Sequence, residues 1–249
     1  MKASSFALAF CAAALACGPA ARAQGGPVSR GEQLYSQGCI GCHGADGRGV
    51  ARGTQVGGYE RGAEGPPLRG VGAQAADFYL RTGYMPLQQP DARPRRSRVY
   101  YSRQELDALI AYVASLGAGP RVPRPQPDRG SLSEGMRLFT ENCAGCHQIV
   151  AKGGIATTAV APSLERASPT QIAEAVRIGP YLMPRFSRRQ ITDRQLDSIV
   201  RYVELTKNPR DRGGWSIGHI GPIPEGLVAW LVAGTALVAV ARAIGERAK

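Results

Sequence analysis

Apolar residues recur at helical spacing in six short stretches of the chain, and five of these open on a Ser or Thr followed three residues later by Glu or Gln. That pairing marks a helix start, because the hydroxyl and the acid or amide satisfy two otherwise unpartnered backbone N–H groups. Ser29 and Glu32 predict a short helix through Leu34 and Tyr35, and Ser102 and Glu105 a longer one carrying Leu106, Leu109, Ile110, Val113 and Leu116. Residues 75–81 predict a helix ending at Thr82-Gly83. The same order returns downstream. Ser131 and Glu134 precede Leu138 and Phe139, Ser168-Pro169 and Gln171 precede Arg177-Ile178-Gly179, and Thr192 and Gln195 precede Leu196, Ile199, Val200 and Val203. Tyr202 matches Tyr112. The chain is a tandem repeat of helical units, in which the last helix is expected to cross the first.

Between the helices, residues 44–65 are too rich in glycine for regular structure and read as a long loop, shorter in the second repeat. Residues 88–98 are a polar, arginine-rich excursion. Pro120, Pro123, Pro125 and Pro127 make residues 118–130 a semi-rigid extended spacer. Residues 222–244 are apolar except for Glu225, Thr235 and Arg242, which suits a membrane-spanning helix with Arg242 snorkelling and Trp230 near the outer interface. Arg242, Arg247 and Lys249 then place the tail in the cytoplasm. His219 and Glu225 read as interfacial polar residues packing on a partner, a functional role being the alternative.

The chemistry lies where the first helix of each repeat ends. Cys39-Ile40-Gly41-Cys42-His43 returns as Cys143-Ala144-Gly145-Cys146-His147. Two thiols at this spacing bond the vinyl groups of one porphyrin, and the adjacent imidazole ligates its iron, so each motif reads as a site for covalently attached c-type haem. A C-x-x-C pair can also serve zinc, dithiol redox chemistry or a disulfide. Against zinc, the pairs lie in separate repeats, and of three histidines two are inside the motifs. Each repeat also carries a Met-Pro: Met85-Pro86 and Met183-Pro184. A thioether from Met85 or Met183 would complete a His/Met iron and raise its reduction potential. Met136 is the rival in the second repeat, but it lies on the motif's own helix. Pro66 and Pro162 stand after each loop and offer carbonyls that can fix His43 and His147.

Residues 1–23 read as an export signal, with Lys2, an apolar run and Ala21-Arg22-Ala23 as the cleavage site, or alternatively as an uncleaved anchor. Cys11 and Cys17 lie within it, leaving four of six cysteines for haem. The formal charge of +12 stays strongly positive without Lys2 and Arg22. In an exported protein this excludes nucleic acid as a partner and favours acidic protein faces or anionic lipid. Arg93, Arg95, Arg96 and Arg98 are either part of such a face or a solvated loop.

The tandem motifs, Arg81-Thr82-Gly83-Tyr84-Met85-Pro86-Leu87, residues 179–187 around Met183-Pro184, and the tail Gly221-Pro222-Ile223-Pro224-Glu225-Gly226 before one span resemble the dihaem cytochrome c subunit of the actinobacterial-type cytochrome bcc complex, a menaquinol:cytochrome c oxidoreductase. The resemblance implies an all-α fold: two tandem class I cytochrome c domains plus one C-terminal transmembrane helix. The expected boundaries are 1–23 for the signal, 29–117 and 131–207 for the domains, 118–130 and 208–221 for the linkers, 222–244 for the span and 245–249 for the tail. It also implies two haems c and electrons passing from a Rieske iron–sulfur protein to an aa3-type oxidase, with the His43/Met85 haem facing the first and the His147/Met183 haem the second. The span would dock on a cytochrome b subunit within a dimeric supercomplex in the lipid membrane. No catalysis independent of the complex is expected. A freestanding membrane-tethered dihaem carrier, or the cytochrome subunit of a periplasmic dehydrogenase, is the alternative.

Overall fold

The structure, a computed structural model, describes residues 26–51, 55–56, 59–60, 65–89, 92, 94–156, 159–209 and 222–247. The signal segment, Arg93 and His219 lie outside the described residues.

The first repeat is built from α1 (Pro27–Gly38), the one-turn α2 (Ile40–His43), α3 (Gly72–Arg81) and α4 (Arg103–Ser115). α1 starts before the expected Ser29. Pro27 occupies its first turn with Gly26 as N-cap, and Ser29 Oγ donates to Gly26 O at 2.8 Å instead of capping. A proline whose φ is already helical competes well with a hydroxyl cap for the start position. α3 likewise begins three residues before the expected position, whereas α4 opens with the full Ser102–Glu105 capping box.

The second repeat has α5 (Leu132–Asn142), α6 (Ala144–His147), α7 (Pro169–Ile178) and α8 (Asp193–Lys207). Ser168 and Gln171 cap α7 reciprocally. At α5 only half the box forms. Ser131 accepts from Glu134 N, but a Glu134 carboxylate oxygen accepts from Ser198 Oγ of α8 at 2.8 Å.

The all-α expectation needs one amendment. Each post-motif loop contains a two-stranded antiparallel ribbon, β1 (Gln55–Val56) with β2 (Tyr59–Glu60), and β3 (Gly154–Ala156) with β4 (Ala159–Ala161). In the second ribbon Ile155 opposes Val160, a cross-strand β-branched pair that the flanking glycine and alanine obscure in the sequence. The fold is predominantly helical.

Packing is repeated too. α1 crosses α4 at Gly31, where an added Cβ would lie 2.0 Å from Ala108 O, and α5 meets α8 at Gly135, where it would lie 1.9 Å from Ser198 O. One helical turn on, Tyr35 packs against Tyr112 with tilted rings and centroids 5.0 Å apart, and Phe139 against Tyr202 in the same way at 5.3 Å. Leu34, Leu109, Leu138, Ile199 and Val200 complete the buried layers.

The linker does not act alone in joining the repeats, because α3 packs on α7. Arg96 donates across this boundary to Arg166 O and Gln171 Oε1, which removes it from the free arginine face allowed for above. Glu174 of α7 is fully buried, and neither carboxyl oxygen has a hydrogen-bond partner among the described residues. Burial first, and the facing Asp77 second, push it up to about 9 from the ordinary 4.5, with Arg81 opposing. Folded Glu174 therefore binds a proton that the unfolded chain has released, and its contribution to stability falls as pH rises from about 4.5 to about 9. Glu174→Gln should flatten this slope, read as the urea midpoint of the detergent-solubilised protein across that window. An unchanged slope would rule out this group as its source.

α9 (Pro222–Arg247) is a single 26-residue helix. At 1.5 Å per residue it is about 39 Å long, more than the roughly 30 Å of a bilayer's hydrocarbon. Trp230, Leu231, Leu237 and Val238 on it are exposed.

Candidate haem-attachment sites

Each motif is presented in the same way by the chain before it. Cys39 N–H donates to Tyr35 O at 2.8 Å, ending α1, and Cys143 N–H donates to Phe139 O at 2.8 Å, ending α5. The next turn closes on the first cysteine, because His43 N–H donates to Cys39 O and His147 N–H to Cys143 O, both at 2.9 Å. Two cysteines and a histidine are thereby held on one tight turn in both repeats.

A phenol locks each turn from outside. Tyr35 Oη donates to Gly44 O at 2.7 Å. The second repeat has Phe139 at that position, and the hydroxyl comes from the opposite helix: Tyr202 Oη donates to Ile149 O at 2.7 Å. Burial raises the pKa of both phenols, so they remain donors at neutral pH.

His43 Nδ1 lies 2.8 Å from Pro66 O, and His147 Nδ1 3.1 Å from Pro162 O. A carbonyl can only accept, so in each ring Nδ1 is the donor and Nε2 is the nitrogen left for a metal. His147 is 9% exposed, and burial lowers its pKa, opposed by the hydrogen bond to Pro162 O. A neutral imidazole with its second nitrogen anchored is the form that ligates iron.

Two glycines unremarked in the sequence reading set these contacts. Gly49 N–H donates to His43 O at 2.8 Å, and Gly153 N–H to His147 O at 3.0 Å. Both have φ near +80° and lie against the proline segment, where a Cβ would come 2.8 Å from Pro67 N or 2.7 Å from Pro162 C. Their signal was the shared offset of six residues from each histidine. In the first repeat glycine also fills the other left-handed positions, Gly44 and Gly47; in the second Gln148 and Ala151 adopt φ of 60° and 57°. The backbone path is conserved between repeats even where the side chain resists it.

The thiols do not resemble a redox dithiol. Burial first and the neighbouring cysteine second push Cys39 and Cys143 up to about 11, whereas reactive C-x-x-C thiols have depressed values. The donor set fits haem c: two cysteines on one turn, the first of each pair held as a thiol by burial, and an imidazole oriented through Nδ1. Met85 and Met183 stand on the loops after α3 and α7, their amides held by Tyr79 O and Pro180 O at 3.0 Å each. Met85 follows an aromatic group in which Phe78 and Tyr84 have centroids 5.7 Å apart. Met136 is 49% exposed on α5.

Family models match the two repeats in turn, cytochrome c over residues 28–117 and cytochrome c oxidase, cbb3-type, subunit III over residues 130–203. Among curated proteins, the chain is 33% identical over 238 residues to the cytochrome bc1 complex cytochrome c subunit of Corynebacterium diphtheriae, covering 88% of this chain and 81% of the relative. It is 37% identical over 227 residues to that of Mycobacterium bovis, covering 87% and 77%. A more distant relative is the cbb3-type cytochrome c oxidase subunit CcoP of Azospirillum, at 26% over 196 residues, 71% of this chain and 61% of the relative. Fold and motifs define a protein of two cytochrome c-type domains, a class that carries covalently bound haem c. The chain belongs to the family of cytochrome c subunits of the cytochrome bc1 complex. It is an electron-transfer subunit of a quinol:cytochrome c oxidoreductase, and its apolar α9 fits membrane anchoring.

Proposed function

We propose that this subunit carries two haems and relays electrons from the complex's Rieske iron–sulfur protein to an aa3-type terminal oxidase. The observation that carries the reading is the duplication of the whole histidine environment, including turn, phenol lock, proline carbonyl and left-handed glycine, in a chain of this family. A structural module would have no use for two imidazoles oriented in the same way.

Haem at each motif supplies a reversible one-electron iron couple. Cys39 and Cys42 tether the first, and Cys143 and Cys146 the second. His43 and His147 would ligate the iron through Nε2, with Pro66 and Pro162 fixing the rings and raising their basicity. Met85 and Met183 would supply thioether ligands to the iron, which would keep exogenous ligands out and the potential high. By family analogy the first domain meets the Rieske protein and the second the oxidase. α9 docks on cytochrome b and holds both domains on the extracytoplasmic face, with residues 1–23 acting as the export signal. The complex is a dimeric supercomplex in the lipid membrane.

Mild detergent extraction through a C-terminal tag tests this. Recovery of two c haems per chain with b-type haem, a Rieske chain and an aa3 oxidase is expected. A lone dihaem protein, under conditions that preserve such assemblies, would overturn the relay and leave a tethered carrier.

A further inference from the structure

A cleft of about 1310 Å³ opens between the start of α3, the linker and the segment after α7. Its walls include Arg121, Arg124, Arg177, Arg185 and Arg188, and no carboxylate lines it among the described residues. Arg177 and Arg188 pair with Asp193. Arg121, Arg124 and Arg185 make no ion pair or side-chain hydrogen bond among the described residues. Their charge faces the cleft without compensation.

Two further observations point to an anion. Gln74 lines the cleft, is only 7% exposed, and its Nε2 has no hydrogen-bond partner among the described residues. A buried amide donor left unpaired keeps the full cost of its desolvation, so native structures keep few of them without a use. The ten-residue α3 also begins here, and Val71 at its N-cap supplies no side-chain acceptor. Of its first-turn amides, Gln74 N–H already donates to Pro120 O at 3.1 Å, and the helix dipole adds positive potential at that end.

We propose that this cleft binds a phosphate-bearing anion of more than one negative charge. Planar guanidinium forks match phosphate oxygens in pairs, and three uncompensated forks exceed what a single carboxylate would need. Because α3 belongs to the first repeat and Arg185 to the second, a bound anion ties the two together through the linker arginines. The phosphate can come from a soluble compound or from an anionic phospholipid headgroup. The site is independent of which partners the two domains meet.

The test uses the full haem-loaded chain in phosphatidylcholine nanodiscs, titrated calorimetrically with inorganic pyrophosphate. One saturable site is expected. The variant R121Q/R124Q/R185Q should bind at least about tenfold more weakly, the loss of roughly one charge-assisted hydrogen bond. R95Q/R98Q/R103Q removes the same charge from exposed positions outside the cleft and should bind like the wild type. Unchanged haem spectra in both variants exclude unfolding as the cause. Repeating the titration with about a fifth of the lipid as cardiolipin separates the sources. Blocked pyrophosphate binding identifies a lipid headgroup, and unchanged binding a soluble phosphate compound. Absence of saturable binding in phosphatidylcholine, or equal weakening in the two variants, would overturn the proposal.

Discussion

Gly135→Ala is expected to lower the denaturation midpoint of the second repeat sharply, and Gly31→Ala that of the first. The new methyl would sit 1.9 Å from Ser198 O or 2.0 Å from Ala108 O. Both obstructing atoms are helix backbone, so no rotamer change relieves the overlap, and the crossing helices must separate. Overpacking of this kind costs about 1–3 kcal/mol, occasionally more. Separation would also pull Phe139 away from Tyr202, or Tyr35 from Tyr112, one turn away. Loss of the hydroxyl contact to Ile149 O or Gly44 O would then loosen the haem turn. The readout is urea denaturation of the solubilised holoprotein followed by haem absorbance. A midpoint within error of the wild type would mean that the helices do not cross at these glycines.

The largest functional effect is expected from Cys143→Ala with Cys146→Ala. Haem content by pyridine haemochrome should fall from two per chain to one, and quinol-driven oxygen consumption by the complex should drop to background. Cys39→Ala with Cys42→Ala should do the same through the other domain, because a series relay fails at either step. Domains this small bury little apolar surface of their own, so the emptied domain should also become protease-sensitive. Retention of half the activity in either variant would mean parallel rather than serial transfer.

Much of this was legible in one dimension because the chain repeats itself. The two haem motifs announce themselves, and the matching Gly65-Pro66-Pro67-Leu68 and Ala161-Pro162-Ser163-Leu164 at the ends of loops of different length, with proline 23 and 15 residues after the histidine, make the proline carbonyls visible as counterparts. The capping boxes at Ser102, Ser168 and Thr192 were readable because local hydrogen bonds need no tertiary knowledge. Ser29 failed because Pro27 offered a better start, and Glu134 because Ser198, distant in sequence, captured its carboxylate.

Contacts between repeats were not legible at all. Glu174 looks like a solvated helix residue until α3 is laid against it, and Arg96 looks like a free surface charge until Gln171 is found beside it. Both depend on how two similar units pack, which periodicity within each unit does not encode. The cleft at Gln74 belongs to the same class. Its arginines are scattered over the linker and the second repeat, and only the fold gathers them.

The most direct test of the relay is stopped-flow mixing of the purified, oxygen-free complex with a quinol, recording c-haem and b-haem absorbance separately. Reduction of both c haems in sequence, each at least as fast as steady-state turnover, is the predicted result. Reduction of b-type haem while both c haems stay oxidised, with the Rieske protein present and intact, would contradict it.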